Sequence, residues 1–333
     1  MLKKKLLSLF LIFAFLLFPF AGCSSTINTE QQSKLVQTEQ VDGTKTQQGN
    51  TQETQKQPDV QEPNQITQEQ PNENTNNLAS NKLTVNYIDV GQGDSIFIQT
   101  PSGKTMLIDA GVPEMGNKVV NYIKSQGINK IDIIIATHPH SDHIGGIPAV
   151  IKNFEIGKVY APKVTHTTKT YENFLNAVKD KGLKITSAKA GMDLDLGEGV
   201  TAKVLAPNKD KYDNLNNYSV VVKITYKDTS FLFTGDAEKE SEQEMLNKGY
   251  DLKADVLKIG HHGSSSSTTS AFLQAVSPKY AVISCGQGNS YGHPHKEIIE
   301  KLKSLNITVY RTDQQGTIIA VSDGKTILFN IHK

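Results

Sequence analysis

Three histidines and one aspartate follow directly on a strongly apolar, strand-like segment. Residues 137–146 read THPHSDHIGG, and they come after IDIIIA at 131–136. Pro139 lacks a main-chain donor and restricts the residue before it, so we expect the strand to end near His138 and a loop to lead into a helix. Such groups cost much free energy when they are buried without partners. The segment therefore predicts a metal site at the end of a buried strand.

The spacing inside this motif predicts which side chains meet. His138 and His140 are two residues apart and can point the same way, while Asp142 and His143 fall on the first turn of the following helix. Imidazole and carboxylate ligands suit borderline divalent ions such as zinc. A surface histidine cluster is the alternative, but the pattern HxHxDH at a strand–helix junction is too specific to favour it.

Strand-like and helical patterns alternate through residues 81–333 in two similar halves. LTVNYIDV and DSIFIQT flank Gly-Gln-Gly and predict a hairpin, in which Asp94 is a turn residue whose loop could border the site. Each half mixes strands with flanking helices. This order predicts an α/β fold in which two sheets pack face to face with helices outside, a four-layer αββα sandwich.

The segments before this domain differ from it in composition. Residues 1–22 carry three lysines and then an apolar run, which is typical of a secretory signal. The tetrapeptide Phe20-Ala21-Gly22-Cys23 is similar to a lipobox, so we expect Cys23 to be lipidated; an uncleaved anchor is the alternative. Residues 24–80 are rich in Gln, Asn, Thr and Glu and are predicted to form a disordered tether. We therefore expect a membrane lipoprotein whose domain, residues 81–333, is a monomer on the outer face.

Charge and cysteine content exclude several classes of protein. The chain has 35 basic and 34 acidic residues, which is not the balance of a dedicated nucleic-acid binder. Arg311 is its single arginine, so bidentate phosphate clamps must be rare. Its two cysteines, Cys23 and Cys285, are too few for a disulfide framework or a cysteine-based metal site.

Several further motifs combine with THPHSDHIGG into a recognisable set. They are DVGQGDS (89–95), LIDAG (107–111), LFTGD (232–236), LKIGHHGS (257–264) and YGHPH (291–295). With them, residues 82–333 resemble the metallo-β-lactamase superfamily, and in particular the hydrolase domain of ComEC/Rec2-type competence proteins. The resemblance implies an αββα sandwich with a site for two divalent ions at one edge.

The resemblance also implies a set of ligands. His138 and His140 would hold one ion, Asp142 and His143 the second, Asp236 would bridge them, one of His261 and His262 would complete the second site, and Asp109 would orient the imidazoles. Taken singly, each of the two strand-end aspartates at 109 and 236 fits an ordinary turn. Together, at the ends of two apolar strands, they favour the metal interpretation. Adjacent residues on a strand point to opposite faces, so we expect only one histidine of the pair to ligate, and which one stays open.

One superfamily ligand has no counterpart. The histidine expected between HxHxDH and Asp236 is absent, because His166 comes too early and the position holds Asn217-Tyr218-Ser219. Asn217 and Ser219 are candidate weak ligands. Such neutral ligands predict looser binding of the first ion, so manganese becomes an option beside zinc.

The remaining candidates lie in YGHPH. His293 is predicted to face the metals as a phosphate binder or general acid, and His295 to be an exposed helix cap. With Asp142 and Asp236, His293 completes the predicted catalytic set. The resemblance implies a phosphodiesterase or nuclease acting on DNA. Two alternatives remain: a hydrolase of another ester (phosphocholine, a wall polymer, a lactone or lactam), and a weakly metal-binding, non-enzymatic accessory that binds DNA or cell wall.

Overall fold

The computed structural model describes residues 81–332. The predicted signal peptide, the lipidation at Cys23 and the predicted tether lie outside these residues and stay predictions. Within the described range, none of the helices combines the length and the apolar character that crossing a membrane requires.

Fifteen strands form the two sheets of the described chain. Their bounds are β1 Leu83–Tyr87, β2 Ile96–Gln99, β3 Thr105–Ile108, β4 Lys130–Ile135, β5 Glu155–Ala161, β6 Ile185–Ser187, β7 Asp193–Leu194, β8 Val200–Ala206, β9 Val221–Tyr226, β10 Thr229–Phe233, β11 Val256–Lys258, β12 Tyr280–Ile283, β13 Thr308–Arg311, β14 Thr317–Ser322 and β15 Ile327–His332. The first sheet has the order β15-β14-β1-β2-β3-β4-β5-β6, and the second β13-β12-β11-β10-β9-β8-β7. Strands β3 to β6 and β10 to β13 run parallel, so each half carries its carboxyl strand ends at one edge.

Helices cover the outer faces of both sheets. Their bounds are α1 Gly116–Ser125, α2 Ser141–Ile144, α3 Ile147–Asn153, α4 Lys169–Asp180, α5 Lys239–Asn247, α6 Ser270–Val276, α7 Lys296–Ser304 and α8 Thr312–Gln315, with 3-10 turns at Pro113–Met115, Leu215–Tyr218 and Gly260–Gly263. The segment after the histidine motif, predicted as one helix, is two helices that meet at the glycine pair of residues 145–146.

Three apolar layers hold the fold together, and strand alternation separates them. In β4, Ile133 and Ile135 point into the layer between the sheets, whereas Ile134 points toward the helices α1, α3 and α4. A third cluster joins the second sheet to α5, α6 and α7. The predicted four-layer αββα sandwich is confirmed, as is the β1–β2 hairpin, in which Tyr87 pairs with Ile96.

Candidate metal centre

The predicted site residues converge at the carboxyl ends of strands from both sheets. Asp109 follows β3 and His138 follows β4 in the first sheet, while Asp236 follows β10 and His262 follows β11 in the second. Ligand sites in sheets with parallel strands commonly lie at these ends, where loops meet. The two halves of the chain therefore contribute to one site.

One group of donors contains His138 and His140. The Nε2 atom of His138 lies 3.0 Å from Nδ1 of His140 and 3.8 Å from Oδ2 of Asp236. His138 and Asp236 are buried, while His140 is partly exposed. His138 is thus in contact with one nitrogen of His140 and one carboxylate oxygen of Asp236.

A second group contains Asp142, His143, Asp236 and His262. One donor atom from each lies within 4.8 Å of all the others. Oδ2 of Asp236 is 3.2 Å from Nε2 of His143 and 3.5 Å from Nε2 of His262, and Oδ2 of Asp142 is 3.3 Å from that same His262 atom. Because Asp236 belongs to both groups, its carboxylate stands where a ligand shared by two ions would stand.

The donor set fits divalent ions by a further criterion. Nε2 of His143, Nε2 of His262 and Oδ1 of Asp236 are buried, and none has a hydrogen-bond partner in the described part of the chain. Buried polar atoms without partners are rare and costly, and an ion is one way to satisfy them. The cluster is therefore able to form a site for two metal ions.

Asp109 orients His143. Its fully buried carboxylate lies 2.8 Å from Nδ1 of His143 and accepts from the main-chain N–H and the hydroxyl of Thr137 at 2.8 and 2.6 Å. With its Nδ1 proton held by Asp109, His143 presents Nε2 to the cluster. Such a carboxylate–histidine contact is the usual partner of a metal-ligating imidazole.

The structure separates His261 from His262. His262 is buried, its Nδ1 lies 2.9 Å from the carbonyl of Ser284, and its Nε2 points into the cluster. His261 is partly exposed, and its Nδ1 lies 3.2 Å from Glu238 and 3.0 Å from the hydroxyl of Ser266. The expectation that a strand separates the two side chains was wrong. β11 ends at residue 258, and both histidines adopt left-handed conformations, with φ of 48° and 54°, in a 3-10 turn.

The two candidate weak ligands have different surroundings. The hydroxyl of Ser219 lies 3.4 Å from Nδ1 of His138 and accepts the main-chain N–H of Asp236. The side-chain oxygen of Asn217 instead accepts the N–H groups of Glu238 and Ser241 at the start of α5. Ser219 is thus beside the first group of donors, and Asn217 is committed to the helix end.

His293 lies at the rim of the site. Its ring is 5.4 Å from that of His261 and 6.3 Å from that of His262. Partial burial and the neighbouring histidines lower the pKa of His293 to about 4. His295 is the N-cap residue of α7, but it is half-buried and not exposed as predicted, and its Nδ1 accepts the N–H of Ser265 instead of capping the helix.

Opposing charges set the protonation of the cluster without metal. Burial alone would lower the pKa of His143 and His262, but the Asp236 carboxylate and other neighbours outweigh burial and raise both pKa values well above the usual range. Burial would raise the pKa of Asp236, yet the same two histidines hold it well below its usual range. Burial, with the charge of His143, lowers the pKa of His138. Without metal, the protonated forms of His143 and His262 are therefore favoured.

Sequence reasoning missed one buried ion pair beside these ligands. Nζ of Lys258 lies 2.8 Å from Oδ2 of Asp94, and both side chains are inaccessible to solvent. The loop of Asp94 does border the site, as the sequence allowed. The available signal was a lysine inside the apolar run DVLKIG, because a charge in a buried strand requires a partner.

Comparison with known proteins agrees with this geometry. The sequence profile described as "Metallo-beta-lactamase superfamily" matches residues 88–287. The chain belongs to this superfamily of metal-dependent hydrolases. ComE operon protein 3 of Bacillus subtilis is 36% identical over 256 residues, which are 72% of this chain and 33% of that protein. Competence protein ComA of Neisseria gonorrhoeae is 30% identical over 243 residues, 72% of this chain and 32% of that protein. Endoribonuclease YSH1 of Kluyveromyces lactis is 27% identical over 180 residues, 46% of this chain and 22% of that protein. The alignments therefore span about a third or less of these relatives' length.

Proposed function

We propose that this domain is a dimetal phosphodiesterase that cleaves a nucleic-acid strand, with DNA as its substrate. The observation that carries the proposal is the cluster of histidine and aspartate ligands, which lies near a groove lined in part by two lysines. One relative is named as a competence protein and another as an endoribonuclease, which agrees with a nucleic-acid substrate. A hydrolase of a small ester or lactam has no need of such a groove.

The groove has a volume of 670 Å³, and its lining includes Lys163, Lys211 and Tyr218 together with one acidic residue, Asp210. A smaller hollow of 220 Å³ shares Lys163 and Tyr218 and adds Lys189. Tyr218, which lines both hollows, is followed by Ser219, whose hydroxyl lies 3.4 Å from Nδ1 of His138. None of the three lysines lies within ion-pair distance of a carboxylate in residues 81–332. Unpaired lysines in a groove attract the phosphates of a nucleic-acid strand.

The residues of the site would have different roles in such a reaction. The first ion would be held by His138 and His140, the second by Asp142, His143 and His262, and Asp236 would serve both. When bound, two zinc or manganese ions supply Lewis acidity and activate water at neutral pH. His293 is neutral near pH 7 and donates a hydrogen bond from the rim to an oxygen of the phosphodiester.

The place of action follows from the sequence before the domain. A lipid on Cys23 and a tether at residues 24–80 would hold a monomeric domain at the outer face of the membrane. There it would meet DNA from outside the cell. Metabolic labelling with a fatty acid, compared between the full chain and Cys23→Ser, tests this part: equal labelling would contradict it.

The test of the activity uses the full chain with added zinc or manganese. Substrates are bis(p-nitrophenyl) phosphate, single- and double-stranded DNA, RNA, a phosphocholine ester and a lactam. We expect cleavage of the small phosphodiester and of DNA, and loss of both in His140→Ala and Asp142→Ala. No phosphodiester cleavage at full metal occupancy, or activity retained in these variants, would refute the proposal.

A second arm tests the groove. Lys163→Gln/Lys211→Gln should raise the KM for DNA and leave cleavage of bis(p-nitrophenyl) phosphate unchanged. The matched control is Lys152→Gln/Lys181→Gln, which removes two exposed lysines near α3 and α4, on the outer face. An equal effect of both double variants would show general charge attraction instead of a binding groove.

A further inference from the structure

We infer that the buried Lys258–Asp94 ion pair positions His262 and the Asp142 loop for the second metal ion. The inference rests on the dimetal function proposed above and assigns a role to two residues outside the two groups of donors described there. The pair joins the two sheets: Lys258 is the last residue of β11, and Asp94 lies in the loop between β1 and β2.

The ion pair is enclosed in the layer between the sheets. Val256, two residues earlier on the same strand, packs in that layer, so the Lys258 side chain enters it as well. Its ammonium contacts Oδ2 of Asp94 at 2.8 Å and donates to the carbonyl of Ile259 at 2.9 Å. A buried ion pair adds little net stability compared with an apolar pair of similar volume. A role beyond stability therefore deserves a test.

Asp94 contacts two members of the second group, His262 and Asp142. Its Oδ1 lies 3.5 Å from Nδ1 of His262, on the side of the ring opposite the cluster. Its main-chain N–H donates to the carbonyl of Asp142 at 3.2 Å. Lys258 contacts one oxygen of this carboxylate, and the other lies within ion-pair distance of His262, whose Nδ1 also contacts the carbonyl of Ser284 at 2.9 Å. The pair thus sets the separation between a ligand from the first half of the chain and a ligand from the second.

The approach of the Asp94 loop to Asp142 is close. A Cβ atom added to Gly93 would lie 2.2 Å from the carbonyl oxygen of Asp142, so this position has no room for a side chain. On its other side the loop contacts the second half, where the N–H of Gly286 donates to the side chain of Gln92. The ion pair therefore links the contact of this loop with Asp142 to its contact with Gly286 in the second half of the chain.

Metal titration of the full chain by calorimetry, with zinc or manganese alone, tests the inference. The double variant Lys258→Met/Asp94→Asn removes both charges, so no unpaired charge stays buried, and Asp94→Asn alone keeps the shape of the loop. His262→Ala identifies the binding step that belongs to the second ion. Asp255→Asn is the control: Asp255 also pairs with a lysine, Lys279, but at the amino ends of the strands.

We expect both Asp94 variants to bind the second ion about 10- to 100-fold more weakly, which is the usual effect of removing a residue that orients a ligand. The first ion should bind with unchanged affinity, a split that a general loss of stability would not produce. Unchanged binding of the second ion in the double variant would overturn the inference and leave the proposed function intact. A wild-type chain that takes up no second ion would overturn the proposed function, and the inference with it.

Discussion

Replacing Asp109 by Asn should weaken the binding of the second ion, because it changes the tautomer of His143. The carboxylate is in contact with three donors, two on Thr137 and Nδ1 of His143. An amide has only one oxygen to accept with. If that oxygen still accepts the hydrogen bond from the main-chain N–H of Thr137, the amide NH₂ faces Nδ1 of His143. Nδ1 must then accept, and the ring proton moves to Nε2, the atom directed at the cluster.

The magnitude follows from this change of donor. Residues that orient a metal ligand contribute about 10- to 100-fold in metal affinity. That range corresponds to about 1.4 to 2.8 kcal/mol of binding free energy. Asn also tolerates the left-handed backbone of residue 109, whose φ is 56°, so the substitution adds little strain.

Calorimetric titration of the full chain with zinc measures the effect. Asp132→Asn is the matched control, because Asp132 likewise accepts the main-chain N–H and the hydroxyl of a threonine, Thr105, but near the amino end of β4. We expect Asp109→Asn to lose affinity for the second ion and Asp132→Asn to keep it. Equal second-ion affinity in Asp109→Asn and wild type would refute the tautomer argument.

Three further predictions follow from the site and its surroundings. Gly93→Ala should destabilise the fold by about 1 to 3 kcal/mol in urea unfolding, because the added atom meets a carbonyl, whereas Gly103→Ala, with open space around it, should cost less. Metal affinity should rise between about pH 6 and about pH 8, because the ion must displace protons from His143 and His262, whose pKa values are raised. Calorimetric titration at several pH values measures this dependence, and an affinity that does not change with pH would count against it. His293→Ala should lower kcat/KM for a phosphodiester by about 100-fold at unchanged metal content, and a loss of metal in parallel would argue for a structural role instead.

Local pattern was enough to predict the layers and the first half of the site. The apolar run of β4 and the strand–helix junction after His138 can both be predicted from residues that are neighbours in sequence. The placement of Asp142 and His143 on the first helical turn followed from spacing alone, and the structure has them there. Asp109 and Asp236 were placed at strand ends by the same argument.

Contacts between distant segments were beyond that reasoning. The different surroundings of His261 and His262 depend on a left-handed turn that no alternation pattern encodes. The Lys258–Asp94 pair joins residues of different sheets, and the lysine in an apolar run indicated a partner without naming it. The commitment of Asn217 to the start of α5 likewise became visible only when the helix was in place.

The most direct test of the central claim is the number of divalent ions that one chain binds. Equilibrium dialysis of the full chain against manganese or zinc, followed by elemental analysis, gives this number. We expect two ions per chain. We also expect Asp236→Ala to lose tight binding of both ions, because the carboxylate of Asp236 contacts both groups of donors. One ion or none in the wild-type chain, or two ions retained by Asp236→Ala, would contradict it.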